Sequence, residues 1–263
     1  MNLSKKYTLI LAGVVGASCA HAQIEDWQFG DANGTALSAA ANTGSGTASW
    51  SGSGDEPTVN ASGRLGTGTD TAGLWYADIA DLSSGVYQID VTDVAMSALS
   101  GGTDDWFSFG FTDNTGSANA RNFSVTGSNS RDKAALVFGN VDNASGLDIY
   151  GFSHGATTSV VDTGITAITG AWDFRIILDA TNKTADFSYQ HNSGGYTAVG
   201  SQLTYTDTDN ASLMFLNFGM NNSGGGDDAR IGAFTMTAVP EPSNYALIAG
   251  MLALGAIMMR RRS

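Results

Sequence analysis

The sequence predicts an all-β protein, a two-sheet antiparallel β-sandwich flanked by an N-terminal signal peptide and a C-terminal transmembrane helix. Three observations carry this. The 263 residues include 34 glycines, and 22 of the 25 acidic residues are aspartate; aspartate and glycine serve turns, whereas glutamate serves helices. Short segments alternate apolar and polar residues with period two, the pattern of half-buried strands. No amphipathic helical stretch of useful length separates them.

The first element is a leader. Lys5 and Lys6 precede a mostly apolar stretch from Tyr7 to Cys19, and Ala20 and Ala22 supply the small residues that signal peptidase reads. Cleavage is expected between Ala22 and Gln23, which assigns residues 1–22 to the signal. Acylation of Cys19 is the competing reading, but Gly16, Ala17 and Ser18 lack the large aliphatic residue usual before such a cysteine. Cleavage after Ala22 removes the only cysteine. The exported chain is then stabilised by burial, with no disulfide to help.

Residues 23–238 suffice for one sandwich, and no proline-rich or charged linker divides them. Trp27 and Phe29 open the series on one face of a strand. Residues 85–94 place Tyr87, Ile89, Val91 and Asp93 together, and residues 105–113 place Phe107, Phe109 and Phe111 together. Further strands are expected at 134–139 and 147–152. Over 171–179 the apolar set is Trp172, Phe174, Ile176 and Leu178, followed by a turn at Asp179 to Lys183 and the set Ala185, Phe187 and Tyr189. That is a β-hairpin. Segments 212–219 and 230–238 complete roughly ten strands, a number that suits a sandwich or barrel.

The two ends of this span resemble concanavalin A-like, laminin G-like jelly rolls: Trp27 and Phe29 match the opening strand, and Asp227, Asp228, Arg230 and Ile231 the closing one. The resemblance implies jelly-roll connectivity. Residues 23–238 carry seven basic and twenty-four acidic side chains, a net of −17. Such a surface repels phosphate backbones and excludes nucleic acid as a partner.

Residues 239–263 form the last element. Tyr245 to Met259 is uncharged, and as a helix its fifteen residues cover about 22 Å, short of the roughly 30 Å hydrocarbon layer. Its apolar residues encircle the whole cylinder, which argues for lipid over a one-sided buried core helix. Arg260, Arg261 and Arg262 follow directly and are expected to stay cytoplasmic. Pro240 and Pro242 stop the final strand and stiffen the approach. Pro240, Glu241 and Pro242, the apolar run and the arginine cluster together resemble the PEP-CTERM sorting signal of Gram-negative bacteria. That resemblance implies transient anchoring in the membrane, processing by exosortase, and delivery to the cell surface or extracellular matrix alongside polysaccharide.

Five aromatic residues adjoin glycine-rich stretches and are candidates for stacking on sugar: Trp50, Trp75, Tyr76, Tyr150 and Tyr196. Glycoside hydrolysis takes two facing carboxyl groups. Glu25 and Glu56 are the only glutamates before the tail, thirty-one positions apart and outside the Glu-x-Asp-x-x-Glu pattern of family 16 jelly-roll glycosidases. Asp104 and Asp105 read as a turn, and His154 and His191 have no nucleophile or carboxylate at a catalytic spacing. No catalytic residue is assigned. Asp227 and Asp228 offer hard oxygen ligands and are the candidate calcium site. The expected function is non-catalytic polysaccharide binding or matrix association. Its alternatives are a carbohydrate-active enzyme and a purely structural matrix or adhesion protein. Deleting Arg260 to Arg262 is expected to release or misdirect the protein; unchanged membrane retention on cell fractionation contradicts the sorting assignment.

Overall fold

Apolar side chains at every second position draw the chain into two antiparallel sheets that close on a shared aromatic core. The computed structural model describes residues 22–54, 56–66, 73–96, 106–113, 132–139, 148–153, 156–158, 161–163, 171–205, 211–219, 229–240 and 251. Gln23–Ala238 forms one compact unit. Its first strands are β1 (Ala22–Trp27), β2 (Trp50–Gly54), β3 (Thr58–Val59), β4 (Leu65–Gly66), β5 (Gly73–Leu82) and β6 (Val86–Met96). The middle of the chain supplies β7 (Trp106–Thr112), β8 (Asp132–Gly139), β9 (Asp148–Ser153), β10 (Ala156–Thr157), β11 (Val161–Asp162) and β12 (Trp172–Asp179). Then come β13 (Thr184–His191), β14 (Thr197–Ala198), β15 (Leu203–Thr204), β16 (Ala211–Gly219), β17 (Ala229–Ile231) and β18 (Ala233–Val239). Among the described residues the single helical turn of the sandwich is Leu37–Ala39.

The first sheet runs β14-β13-β12-β6-β17-β4-β3, with β15 on β13 and with β18 joining β6 to β1. The second runs β10-β9-β8-β7-β16-β5-β2, with β11 on β9. Opening strand β1 therefore lies beside closing strand β18. Trp27 from β1, Trp50 from β2 and Phe234 from β18 meet there, with centroids 5.1 Å, 6.1 Å and 5.4 Å apart.

Strand β12 alternates as expected. Trp172, Phe174, Ile176 and Leu178 are fully buried, and their neighbours Asp173, Arg175, Ile177 and Asp179 are only partly so. Phe107, Phe109 and Phe111 of β7 face them from the second sheet, with Phe109 6.5 Å from Phe174. Phe138 of β8 stands 5.2 Å from Trp172 and 4.7 Å from Phe174. Tilted and edge-on contacts of this kind hold aromatic rings more specifically than area alone.

Three expectations are corrected. Strand β7 is not half-buried, because its outward Ser108 and Thr112 are buried along with its phenylalanines. Asp93 does not share the inner face with Ile89 and Val91. A bulge opposite Asp173 puts Val94 inside instead, and Asp93, at φ 54°, turns out to receive the guanidinium of Arg64 at 2.7 Å and 2.5 Å. Finally, the segment 230–238 is two strands, split at Gly232, whose N–H donates to the Thr92 carbonyl at 2.9 Å.

A Cβ at Gly232 would lie 2.7 Å from the Asp93 Cβ. Bulge and glycine are thus fitted to one another. Gly232→Ala is expected to lower unfolding free energy by about 1–3 kcal/mol through this overlap. Gly30→Ala, where a Cβ meets nothing within 4 Å, should stay within about 0.5 kcal/mol. Urea denaturation of both variants checks the contrast.

Candidate functional site

Four of the five aromatic candidates are taken by the core. Trp50 is 3% exposed in the ring cluster with Trp27 and Phe234, and Trp75 is buried on the inner face of β5. Tyr76 and Tyr150 belong to a second apolar cluster with Leu74, Val137, Phe152 and Phe215. Those residues alternate along their strands with members of the main core, so they line the outer face of the second sheet. They are buried there nonetheless, and burial with the nearby Asp148 charge pushes the Tyr150 phenol well above its ordinary range. None of the four can offer a ring to a sugar.

Tyr196 can. It is 37% exposed and sits at the end of an exposed turn, Asn192 to Gly195, that follows β13. Asn192 and Ser193 adopt φ 52° and 59°, and the Asn192 N–H donates to the Ala171 carbonyl at 3.1 Å. That bond folds the turn back against the start of β12. Beneath it, His191 stacks on Trp172 with centroids 4.0 Å apart. The exposed ring is therefore carried by a loop tied directly to the core.

Under the ring lies Arg175. Its guanidinium carbon is 4.0 Å from the Tyr196 centroid, a cation–π contact. Its Nε donates to Asp90 Oδ1 at 2.7 Å, and Gln88 Nε2 donates to Asp90 Oδ2 at 2.6 Å. Strand pairing sets these partners side by side: Arg175 lies opposite Asp90 of β6 and opposite Ser188 of β13. The next row is Gln88, Ile177 and Asp186, and Asp173 lies opposite Gln190. Gln202 reaches Asp186 Oδ2 at 2.7 Å. Among the described residues, the outer face of the first sheet is thus a mainly polar platform with one exposed aromatic ring.

Its charges are settled by their neighbours. Burial alone would lower the Arg175 pKa, but the hydrogen bond and charge of Asp90, together with Tyr196 and the Asp173 charge, outweigh it and the net shift is upward. The Tyr196 phenol is pushed up to about 12, by burial first and by the Asp90 charge second, with Arg175 opposing. The platform therefore presents a fixed cation, a neutral phenol and amide, hydroxyl and carboxylate groups. It can stack an apolar ring face and exchange hydrogen bonds with hydroxyls.

Other predicted residues play different parts. Glu25 is buried and accepts from the Asn42 amide, and Glu56 Oε1 accepts from the Ser38 N–H at 2.8 Å. Each carboxylate ties down a loop. Ala22 and Gln23 open β1, and Pro240 directly follows β18. Asp104, Asp105, His154, Asp227, Asp228, Ala20, Glu241, Pro242 and Arg260 to Arg262 lie outside the described residues, as does the run 245–259 apart from Met251. Among the described residues no three His, Cys, Asp or Glu side chains converge as metal ligands, and no helix is long and apolar enough to cross a membrane. Arg175, Asp90 and Gln88 were not foreseen as site residues; their signal was the outward parity of β6 and β12.

No family model matches the chain, and neither does any curated protein. Solved structures do. Lectin I-B4 from Griffonia simplicifolia, in its metal-free form, superposes with a TM-score of 0.54 at 13% identity over 73% of this chain and 93% of its own. Lectin II from Ulex europaeus gives 0.52 at 13% identity over 73% and 93%. The Emp47p carbohydrate recognition domain gives 0.51 at 13% identity over 86% and 100%. The fold is a legume-lectin-like, concanavalin A-like sandwich.

A pH dependence follows from the phenols. Tyr196 and Tyr205 are each raised from 10.0 to about 12, Tyr205 by burial and then by the Asp179 charge. A phenol raised on folding stabilises the fold fully below its unfolded value, and that contribution is lost as pH climbs toward the folded one. Urea midpoints should fall between about pH 10 and about pH 12, and fall less in the Tyr196→Phe, Tyr205→Phe double variant. Equal slopes contradict the assignment.

Proposed function

We propose that this protein is an exported, non-catalytic carbohydrate-binding protein that holds extracellular polysaccharide at the Tyr196 platform. The observation that carries the reading is the ring itself. Among the five aromatics adjoining glycine-rich stretches, Tyr196 alone is exposed, and Arg175 braces one of its faces. A braced, neutral ring loses little freedom on binding, which limits the entropic cost of stacking. Asp90 and Asp173 are near enough to the Tyr196 phenol to act on its charge, and Gln88 is hydrogen-bonded to Asp90; these are the polar groups offered to a sugar resting on the ring.

The fold supports the same class of ligand. The solved structures it resembles are named as lectins and a carbohydrate recognition domain. Export by the leader, cleavage by signal peptidase, temporary retention by the apolar tail and processing by exosortase place this binding at the cell surface or in the matrix. The platform carboxylates are engaged, Asp90 by Arg175 and Gln88, Asp186 by Gln202 and Asp173 by the Asp93 N–H, an arrangement that suits recognition better than proton transfer.

A glycan array and a reducing-sugar assay on residues 23–238 test the proposal. Retention of a polysaccharide without release of reducing sugar is expected, and Tyr196→Ala should weaken retention more than about tenfold, which is 1.4 kcal/mol. Release of sugar favours the enzyme reading. Neither retention nor release favours a purely structural matrix protein.

A further inference from the structure

A groove of about 280 Å³ lies apart from the platform, between β1 with the loop at Gly46 and the end of β5. Ile24, Ile79 and the ring of Tyr87 form its apolar part, and all three pack against the main core. Glu25, Asp78 and Asp81 supply carboxylates, and no basic residue lines it among those described. Tyr87 is held in place by its hydroxyl, which donates to the Ser84 carbonyl at 2.9 Å. Strand β2 pairs with β5 only as far as Ala77, so Asp78 to Leu82 run beyond it along the groove.

We infer that this groove takes a sugar bearing a free amine, so that the polysaccharide held by the protein is an amino-sugar polymer with unacetylated residues. This rests on the carbohydrate reading above and deepens it. The apolar part suits the carbon-bound hydrogens of a pyranose ring, and a volume near the lower limit of ligand pockets, roughly 300 Å³, suits one residue of a chain. The carboxylates suit an ammonium group, for which charge-assisted hydrogen bonds are stronger than neutral ones. A net of −17 over residues 23–238 attracts a cationic polymer and repels uronate or sulfate chains. Neutral hydroxyls alone would leave that charge without a counterpart in the ligand.

Glucosamine oligomers and N-acetylglucosamine oligomers of equal length, titrated calorimetrically into residues 23–238, provide the test. The free amine should strengthen binding about tenfold or more, and the Asp78→Asn, Asp81→Asn double variant should erase that preference. Both positions are exposed, so folding is not at stake, and the variant keeps most of the net charge. A preference that survives in the double variant overturns the inference, because overall charge then explains it. Equal affinity for the two oligomers in the unmodified protein also overturns it. Tight binding of a lysine oligomer of the same charge does so as well, since the sugar ring then contributes nothing. If both oligomers bind equally and Tyr196→Ala weakens both, only the groove assignment fails. If no glycan on the array or in the titration binds, the platform reading fails with it.

Discussion

The aromatic seam between the two sheets is the constraint on which the rest depends. Phe109 and Phe138 from the second sheet meet Trp172 and Phe174 from the first, and Trp27, Trp50 and Phe234 close one end. Stacked sheets lie about 10 Å apart, and rings of this size fill that gap from both sides. The seam also fixes parity. With Trp172 and Phe174 committed inward, Asp173 and Arg175 must point out, because a shift of one residue would exchange the two faces. The platform is therefore a by-product of the core, and its groups are held as firmly as the strand that bears them.

Arg175 links that geometry to electrostatics. It is partly covered, shared between the Asp90 carboxylate and the Tyr196 ring, and kept charged by the first of these. An exposed ion pair contributes little to stability. Its use here is positional: the pair sets the height of the guanidinium, and the guanidinium supports the ring. In a domain with so few basic residues, placing one of them under an exposed aromatic ring is a feature that folding alone does not require.

Much of the first sheet was legible in the sequence. Period-two alternation over Trp172 to Asp179 located β12, and the turn signal at Asp179 to Lys183 located the hairpin, where the Asn182 N–H donates to Asp179 Oδ1 at 2.8 Å. The second sheet was harder to read. Runs such as Leu74 to Ala77 and Ala134 to Phe138 are apolar at both parities, the mark of a sheet buried on both faces. Tyr76 and Tyr150 lie in such runs, so a flanking glycine was a poor guide to their exposure. The bulge at Asp93 left no local trace either, because it answers to Gly232 and Arg64, distant in the chain. For the site, Tyr196 could be named from its glycine-rich turn. Arg175, which braces it, stands eighty-five residues from its own partner Asp90, and only strand pairing brings those two together. The leader and sorting tail are expectations from sequence motifs of transport, and such motifs leave a ligand open.

The most direct measurement is a crystal structure of residues 23–238 with a retained oligosaccharide. The account predicts an intact sugar ring stacked on the open face of Tyr196, with hydroxyls within hydrogen-bonding reach of Gln88, Asp90 or Asp173. An oligosaccharide bound elsewhere with the Tyr196 face bare, or one cleaved in place, would contradict it.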